Sequence, residues 1–578
     1  MNSTPATPHL SPLARVRARL SAIWRRPIIF DGYATPVKTA LFVILCAAWI
    51  LPGLIGHDPW KTEATTMGIV HAMLLDGTWL TPNVAGIAHH DYPPLYYWVA
   101  AILAKTFSAL LLPHDGARLA TGLFMAITLV YTRKTARRLF DERAGRISVV
   151  LLIGSLGIFV RGHEMNPELG ALAGTAIALY GMTRIRSETM KGGVTTGVGT
   201  GIVAMSVGIV PALAVPMVAI LLVWMLREWR NRLFQRGIMV AVLISLAIMA
   251  IYPLALLSQG EISRAMWIDA ILGAPFLDVH TRSAIDPIFF LRRLAWYTLP
   301  ALPFALWLWW RERKLLRERF EVALPLVGFL VFILWVSFLR EANDAVGAVL
   351  LLPLVLAASS ALDRLPRSSA SFVDWFSLLF FGLAAATIWF YWFAAITGFP
   401  QPAANLMARE APNFVFSFAW TPFGFAAILT SIWLYAVARA HRNSRRAMVN
   451  WAAGVTLVWM LGNVLALPAL NHTQSYRNTV QAITAHIGAP PQTCIAAVNL
   501  GDPVRAMLDY FGGVRVVPIP ANGSTPCEWL ITQSKFANAD TSAVTWRQIW
   551  QGGRPRDESE QFLRLYQRES NVGGIRNP

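Results

Sequence analysis

Apolar runs of about 18–22 residues recur from Thr39 to Leu470, the length at which a helix crosses the hydrocarbon core of a bilayer. Short basic clusters separate them, at Arg133–Arg146, Arg184–Lys191, Arg227–Arg236, Arg311–Arg319, Arg364–Arg367 and Arg439–Arg446. Basic loops between apolar runs mark the cytoplasmic side. If all are cytoplasmic, two crossings lie between each adjacent pair. Val194–Trp224 has room for two spans around Gly208 and Pro211, and Ile238–Trp310 for two with a loop between. The count turns on "PPLYYWVAAILAKTFSALLL" (Pro93–Leu112), which as a crossing would invert every later cluster. Its start at Tyr96, Tyr97 and Trp98, and its Lys105, suit a helix lying in the outer interface. The expectation is an all-α polytopic membrane protein with about thirteen transmembrane helices, its N-terminus inside and its C-terminus outside.

This topology sorts the polar segments. Outside lie His57–Arg118, Arg161–Glu168, Ser258–Arg293, Arg340–Asp344, Phe399–Phe416 and everything after Asn471. The acidic and histidine-rich segments therefore gather on one face. In the last region, "TCIAAVNL", "VRVVPI" and "EWLITQ" predict short buried strands among turn-rich and helical stretches. The chain divides into a basic cytoplasmic N-terminus (1–35), a membrane domain (36–470) with its first outer loop at 56–118, and a small α/β domain (471–578).

Composition agrees. Of the 578 residues, 55% are hydrophobic and 14% charged, against about a quarter charged in soluble proteins. The net charge of +18 sits in the interhelical clusters, which argues against nucleic acid as a partner. The first apolar run, Thr39–Ile55, lacks a small-residue cleavage site and is expected to be retained as a helix. Of three cysteines, Cys46 lies in that run, while Cys494 and Cys527 share the outer domain, where an oxidising compartment permits a disulfide.

The densest polar stretch is "GHDPWKTEATTMGIVHAMLLDGTWLTPNVAGIAHHDYPPLYYW" (Gly56–Trp98). Asp58 and Glu63 stand at the start of an expected amphipathic helix, where they either cap it or serve as general base toward an acceptor hydroxyl. Asp91 follows His89 and His90. Glu164, Asn166 and Glu168 flank the next outer turn, as caps or as acceptor-positioning groups. His163 and His57 could join these carboxylates around a divalent metal, although the spacing matches no closed metal motif. Arg161, Arg264 and Arg340, with Lys61, are candidate phosphate-binding cations on the outer side.

"DPWKTEA" opening a helix, then "DGTWLTP", "PPLYYW", a "RLF" turn, the acidic turn "GHEMNPE", "LLLPLVLA" and "LPALNHTQSYR" follow an order that resembles the membrane glycosyltransferases of the GT-C fold. Within them the chain is similar to bacterial aminoarabinose transferases and protein O-mannosyltransferase-like enzymes, over residues 36–475. The resemblance implies an inverting transfer of a sugar from a polyprenyl-phosphate donor, such as undecaprenyl phosphate, to a lipid, glycan or protein acceptor. It places this chemistry at the periplasmic face of the bacterial inner membrane, among membrane lipids, with no obligatory cofactor and a divalent metal as an option. The family's Asp-Glu pair falls at Thr62–Glu63, leaving Glu63 as the retained acid and Asp58 as the alternative. Glu-Lys-Pro-Pro becomes Asp91–Tyr92–Pro93–Pro94, and the lysine of a Thr-Lys-Gly turn becomes Val207, so two expected cations are missing. A transporter or lipid flippase, and a catalytically altered scaffold, are the competing readings. Against transport, the spans are almost free of charge and show no repeated halves.

Overall fold

The computed structural model describes residues 36–89, 91–257, 271, 288–337, 344–362, 367–439, 446–488, 494–519, 525–533, 546–555, 557 and 562–569. The N-terminal segment 1–35 lies outside them.

Five described helices are long and apolar enough to cross a membrane: Arg232–Leu256, Phe320–Ser337, Ser368–Thr397, Trp420–Arg439 and the bent run Arg446–Ile487. Shorter apolar helices cover Thr39–Ile50, Ile209–Met225 and Val346–Ala361. Burial sorts them by position. The Phe320–Ser337 window is 61% buried, whereas those of Arg232–Leu256 and Trp420–Arg439 are only 17% and 11% buried. Exposed Leu243, Leu246, Ile428 and Ile432 on these outer helices present apolar side chains suited to lipid. The chain is an integral membrane protein.

Gly208, at φ +100°, ends the helix Thr189–Val207 and starts the turn Ile209–Ala212. Thr189–Val207 itself carries glycines on two faces. A Cβ at Gly199 would lie 2.5 Å from the backbone nitrogen of Ala178, and one at Gly197 would lie 2.5 Å from the carbonyl oxygen of Ala241. Small residues let membrane helices approach this closely, so the helix is sandwiched between Glu168–Ile185 and Arg232–Leu256.

The segment that set the topology forms only Leu95–Thr106, a helix of 12 residues. At about 1.5 Å per residue it falls well short of a bilayer core. It folds back on Pro113–Leu139, with Gly116 pressed against the Ala104 backbone.

Lys61–Leu75 departs from expectation. Instead of an amphipathic surface helix it is buried on nearly every side, including Ala64, Met67, Ile69, Val70 and Met73. The reason is a cover that its own periodicity does not reveal. The helix Asp502–Gly512 of the C-terminal region lies across it, so close that a Cβ on Gly68 would sit 2.5 Å from that of Ala506. Polar ties surround this seam: Arg515 to Asp76 at 2.9 Å, His89 Nδ1 to Asp502 at 3.0 Å and His114 Nδ1 to the Tyr510 hydroxyl at 2.7 Å.

After the helix Arg477–Ile487, the C-terminal region builds a five-stranded sheet. Its strands are β3 (Ile495–Val498), β4 (Val516–Pro518), β5 (Trp529–Gln533), β6 (Trp546–Gly552) and β7 (Leu563–Arg568), in spatial order β4-β3-β5-β7-β6. β3 runs parallel to β4 and β5, and β7 antiparallel to β5 and β6. β1 (Asn83–Val84) and β2 (Ile87–Ala88) form a separate small hairpin in the first loop. Cys494 and Cys527 are joined by a disulfide, with their Cα atoms 4.9 Å apart.

Gly68→Leu should wedge the two helices apart. The expected result is faster proteolytic cleavage within 477–568 and a lower Tm in detergent; an unchanged digestion pattern and Tm would contradict the packing.

Candidate functional site

The side chain that organises the first polar loop is Arg118, near the start of Pro113–Leu139 and fully buried. Its Nε and Nη2 donate to the two Glu63 oxygens at 2.9 and 3.1 Å, and its Nη1 to Asp115 at 3.0 Å. The remaining donors reach the backbone oxygens of Leu54, His57 and Asp58 at 3.1–3.4 Å. A planar guanidinium can serve so many acceptors at once. Glu63 also accepts from the Met165 and Trp60 amides. Burial pushes the Glu63 carboxyl up, but Arg118, with His57 and the Met165 amide, outweighs it and holds the group below its ordinary range.

Asp58 sits beside this pair. It accepts from the Ser475 hydroxyl at 2.7 Å and from both Nε and Nη2 of Arg477, while its own amide donates to Asn471. Burial raises its pKa, yet the Arg477 and Ser475 hydrogen bonds win and the net shift is downward. Asp58 therefore pins the first loop to the end of the membrane domain. Neither Asp58 nor Glu63 borders the cavity that Lys61 and Thr62 face.

That cavity has about 1300 Å³ of empty space. Trp60, Lys61 and Thr62 face it from the start of the 61–75 helix, and Arg161 and Glu164 from the turn before Glu168–Ile185. Tyr297, Asp344 and Gln474 complete its polar lining. Arg161 Nη1 donates to Glu164 at 2.6 Å, and Arg293 pairs with Asp344. Lys61 has no carboxylate partner among the described residues and is exposed, so it is the uncompensated cation of the cavity. Glu164 behaves oppositely to Glu63. Burial raises its pKa and nearby Glu63 adds to the rise; Arg161 and the Thr62 hydroxyl pull against them, and the net shift is upward.

The other expected site residues lie elsewhere. Glu168 accepts from the Tyr92 hydroxyl at 2.9 Å and closes one end of a separate, mainly apolar pocket of about 530 Å³ that includes Phe332, Trp335 and Val346. Asp91 is exposed and pairs with His89 at 3.3 Å. His163 is a core histidine. Its Nε2 meets the Trp49 carbonyl at 2.7 Å and its Nδ1 the Phe159 carbonyl at 3.1 Å, its ring stacks on Trp459, and burial lowers its pKa to about 4. Both nitrogens face backbone carbonyls in the core, where the neutral ring has one N–H to donate, and no group of three or more His, Cys, Asp or Glu among the described residues is placed to hold a metal. Arg264 and Arg340 lie outside the described residues. Sequence reasoning missed Arg118, Thr62, Tyr297, Asp344 and Gln474. A lone arginine in the small-residue run "GARLATG" is the one signal that could have flagged Arg118.

Because Glu63 and Arg118 are both fully buried, removing one partner should strand the other. Glu63→Gln is expected to destabilise the fold by about 3–5 kcal/mol, whereas Glu164→Gln should leave Tm nearly unchanged. The stabilisation from the depressed Glu63 and Asp58 is complete above the ordinary carboxylate range and fades only as pH falls through their lowered values. Thermal melting of both variants from pH 7 downward tests this; equal Tm values for Glu63→Gln and wild type would contradict it.

Comparisons place the chain. Residues 91–253 match the family model described as dolichyl-phosphate-mannose-protein mannosyltransferase. The chain is 26% identical over 239 residues to the undecaprenyl phosphate-alpha-4-amino-4-deoxy-L-arabinose arabinosyl transferase 2 of Pseudomonas fluorescens, a match covering 40% of this chain and 41% of that relative. In the corresponding transferase 1 of that strain, and in a Pseudomonas aeruginosa transferase, it spans 24% and 36% of their length. A longer match, 26% identical over 455 residues, covers 76% of this chain and 77% of the Pseudomonas paraeruginosa arabinosyl transferase. The crystal structure of ArnT from Cupriavidus metallidurans bound to undecaprenyl phosphate superposes with a TM-score of 0.66 at 16% identity, covering 94% of this chain and all of that one. The chain thus has the GT-C fold of the membrane glycosyltransferases, in the form taken by the aminoarabinose transferases.

Proposed function

We propose that the chain transfers a sugar from a polyprenyl-phosphate donor to an acceptor at the outer face of the bacterial inner membrane, inside the cavity walled by Lys61, Arg161 and Glu164. The observation that carries this reading is the pairing, in one cavity of the GT-C fold, of an uncompensated ammonium with a buried carboxylate of raised pKa. The relatives named for undecaprenyl-phosphate-linked aminoarabinose supply the donor class. The topology expected from the charge pattern, with the first loop and the C-terminal domain periplasmic, goes with it, as does the Cys494–Cys527 bond.

In this scheme an acceptor hydroxyl attacks the anomeric carbon as the bond to the carrier phosphate breaks on the opposite side, which inverts the centre. The leaving polyprenyl phosphate gains negative charge, met by Lys61 with Arg161 beside it. Glu164 takes the hydroxyl proton. A carboxylate of raised basicity suits a general base better than one held low by ion pairs, which moves that role from Asp58 and Glu63 to Glu164. Thr62, at the position of the family's aspartate, faces the same cavity as Glu164, and its hydroxyl works against the rise in the Glu164 pKa. Asp58 and Glu63 then act on the reaction only by holding the loop that carries Lys61 and Thr62. The missing lysine at Tyr92 follows from the same arrangement: Tyr92 is engaged by Glu168, and the cation has moved to Lys61.

Glu164→Gln should lower turnover of an undecaprenyl-phosphate sugar by about 10²–10⁴ with little change in KM. The wild-type acid limb should lie above the ordinary carboxylate range, because the base must be ionised and its pKa is raised. Lys61→Ala should instead raise KM for the donor. Full turnover by Glu164→Gln would remove the base from this account.

A further inference from the structure

Two spans with apolar, exposed outer faces, Ser368–Thr397 and Trp420–Arg439, are joined by residues 398–419. That connection divides by polarity. The short helix Gln401–Glu410 packs through Ala403, its one buried residue, and leaves Gln401, Asn405 and Arg409 exposed. The extended stretch "NFVFSFAW" (413–420) reverses the balance. Val415 is 83% exposed and Trp420 76%, and Phe399, just past the end of the first span, is 70% exposed.

These side chains are not scattered. Phe418 meets Trp420 edge-on at 4.9 Å and reaches Phe423 at 5.4 Å and Trp392 at 6.0 Å. The ends of both spans therefore carry one aromatic band. It runs on into Phe390, Phe393, Ile428 and Ile432, exposed along the same helices. A contiguous apolar surface marks an interaction site, and its continuity with the outer faces of two membrane spans makes lipid the occupant. Aromatic rings gather where the headgroups of a bilayer meet its hydrocarbon. A polar helix face beside exposed rings suits a segment lying in that plane.

The stretch is also tied to the central cavity. The Pro412 carbonyl accepts from His472 Nε2 at 3.0 Å, and the Phe414 ring lies 5.4 Å from the His472 ring. Beside His472, Asn471 receives the Asp58 amide and the Trp60 indole N–H. Leu470 and Gln474, on either side of this pair, line the cavity.

We propose that residues 413–420, with Phe399, form a lipid-surface anchor at the headgroup–hydrocarbon boundary of the leaflet on the cavity side. Through His472 the anchor fixes the 470–474 wall of the cavity at that level. Its partner is the bilayer itself, and the inference does not depend on the transfer reading.

The test uses the full chain with Cys46→Ser, which keeps the Cys494–Cys527 disulfide and removes the free thiol. A single nitroxide is attached through Val415→Cys or, as the control, Asn405→Cys. In lipid nanodiscs the label at 415 should be relaxed more by oxygen, which concentrates in hydrocarbon, than by a water-soluble nickel chelate. The label at 405 should show the reverse. Relaxation at 415 chiefly by nickel would overturn the anchor. Shielding from both reagents would put a protein in the place of lipid and overturn it equally. Hydrogen exchange reads the tie to the cavity. Val415→Asp, at a position outside the packed core, should raise exchange at residues 470–475 severalfold and leave residues 446–460 as they were. Val415→Leu should match wild type throughout. Unchanged exchange at 470–475 in Val415→Asp would overturn the coupling.

Discussion

One buried guanidinium fixes the geometry on which everything outside the helices depends. Arg118 reaches Glu63, Asp115 and three backbone carbonyls of the 54–58 segment. A charge with no exposure to water is tolerated only when every donor finds an acceptor. Its demands therefore dictate the path of the loop and the entry into the 61–75 helix. Lys61 and Thr62 face the cavity because Glu63, one residue on, is turned away from it to face Arg118.

That division of labour explains how neighbouring carboxylates come to differ. Glu63 and Asp58 are each matched with a guanidinium and lie low, fit for holding structure. Glu164 is equally close to a cation but suffers more from burial than Arg161 returns, and it borders the open space. Environment, more than residue type, sorts carboxylates held low from one whose pKa rises. The C-terminal region enters the same network through Arg477 on Asp58 and Arg515 on Asp76, so it and the first loop form one support for the cavity.

Much of this was legible beforehand. Apolar run length exposes the membrane class, and the break at Gly208 and the short helix at Leu95–Thr106 follow from glycine, proline and aromatic placement. β3, β4 and β5 read clearly because they are dense in apolar residues. β6 and β7 do not, since "WRQIWQG" and "LRLYQR" mix charges into edge and half-buried strands. The site was harder for a different reason. Lys61, Arg161 and Glu164 were nominated and do meet in one cavity, yet so were Asp58, Glu63 and His163, which the fold spends on hydrogen bonds. Sequence shows which residues can do chemistry. It cannot show that Arg118 is 55 positions from the carboxylate it neutralises, or that a helix from residue 502 onward will cover a face that otherwise looks exposed.

The central claim is that carrier phosphate is handled at Lys61 and not at the position where the family keeps its lysine. A structure of the full chain with undecaprenyl phosphate bound tests this most directly. The account predicts phosphate density within hydrogen-bond reach of the Lys61 ammonium, in the cavity shared with Arg161 and Glu164. Phosphate density beside Tyr92 and Glu168, with the Lys61 cavity empty, would contradict it.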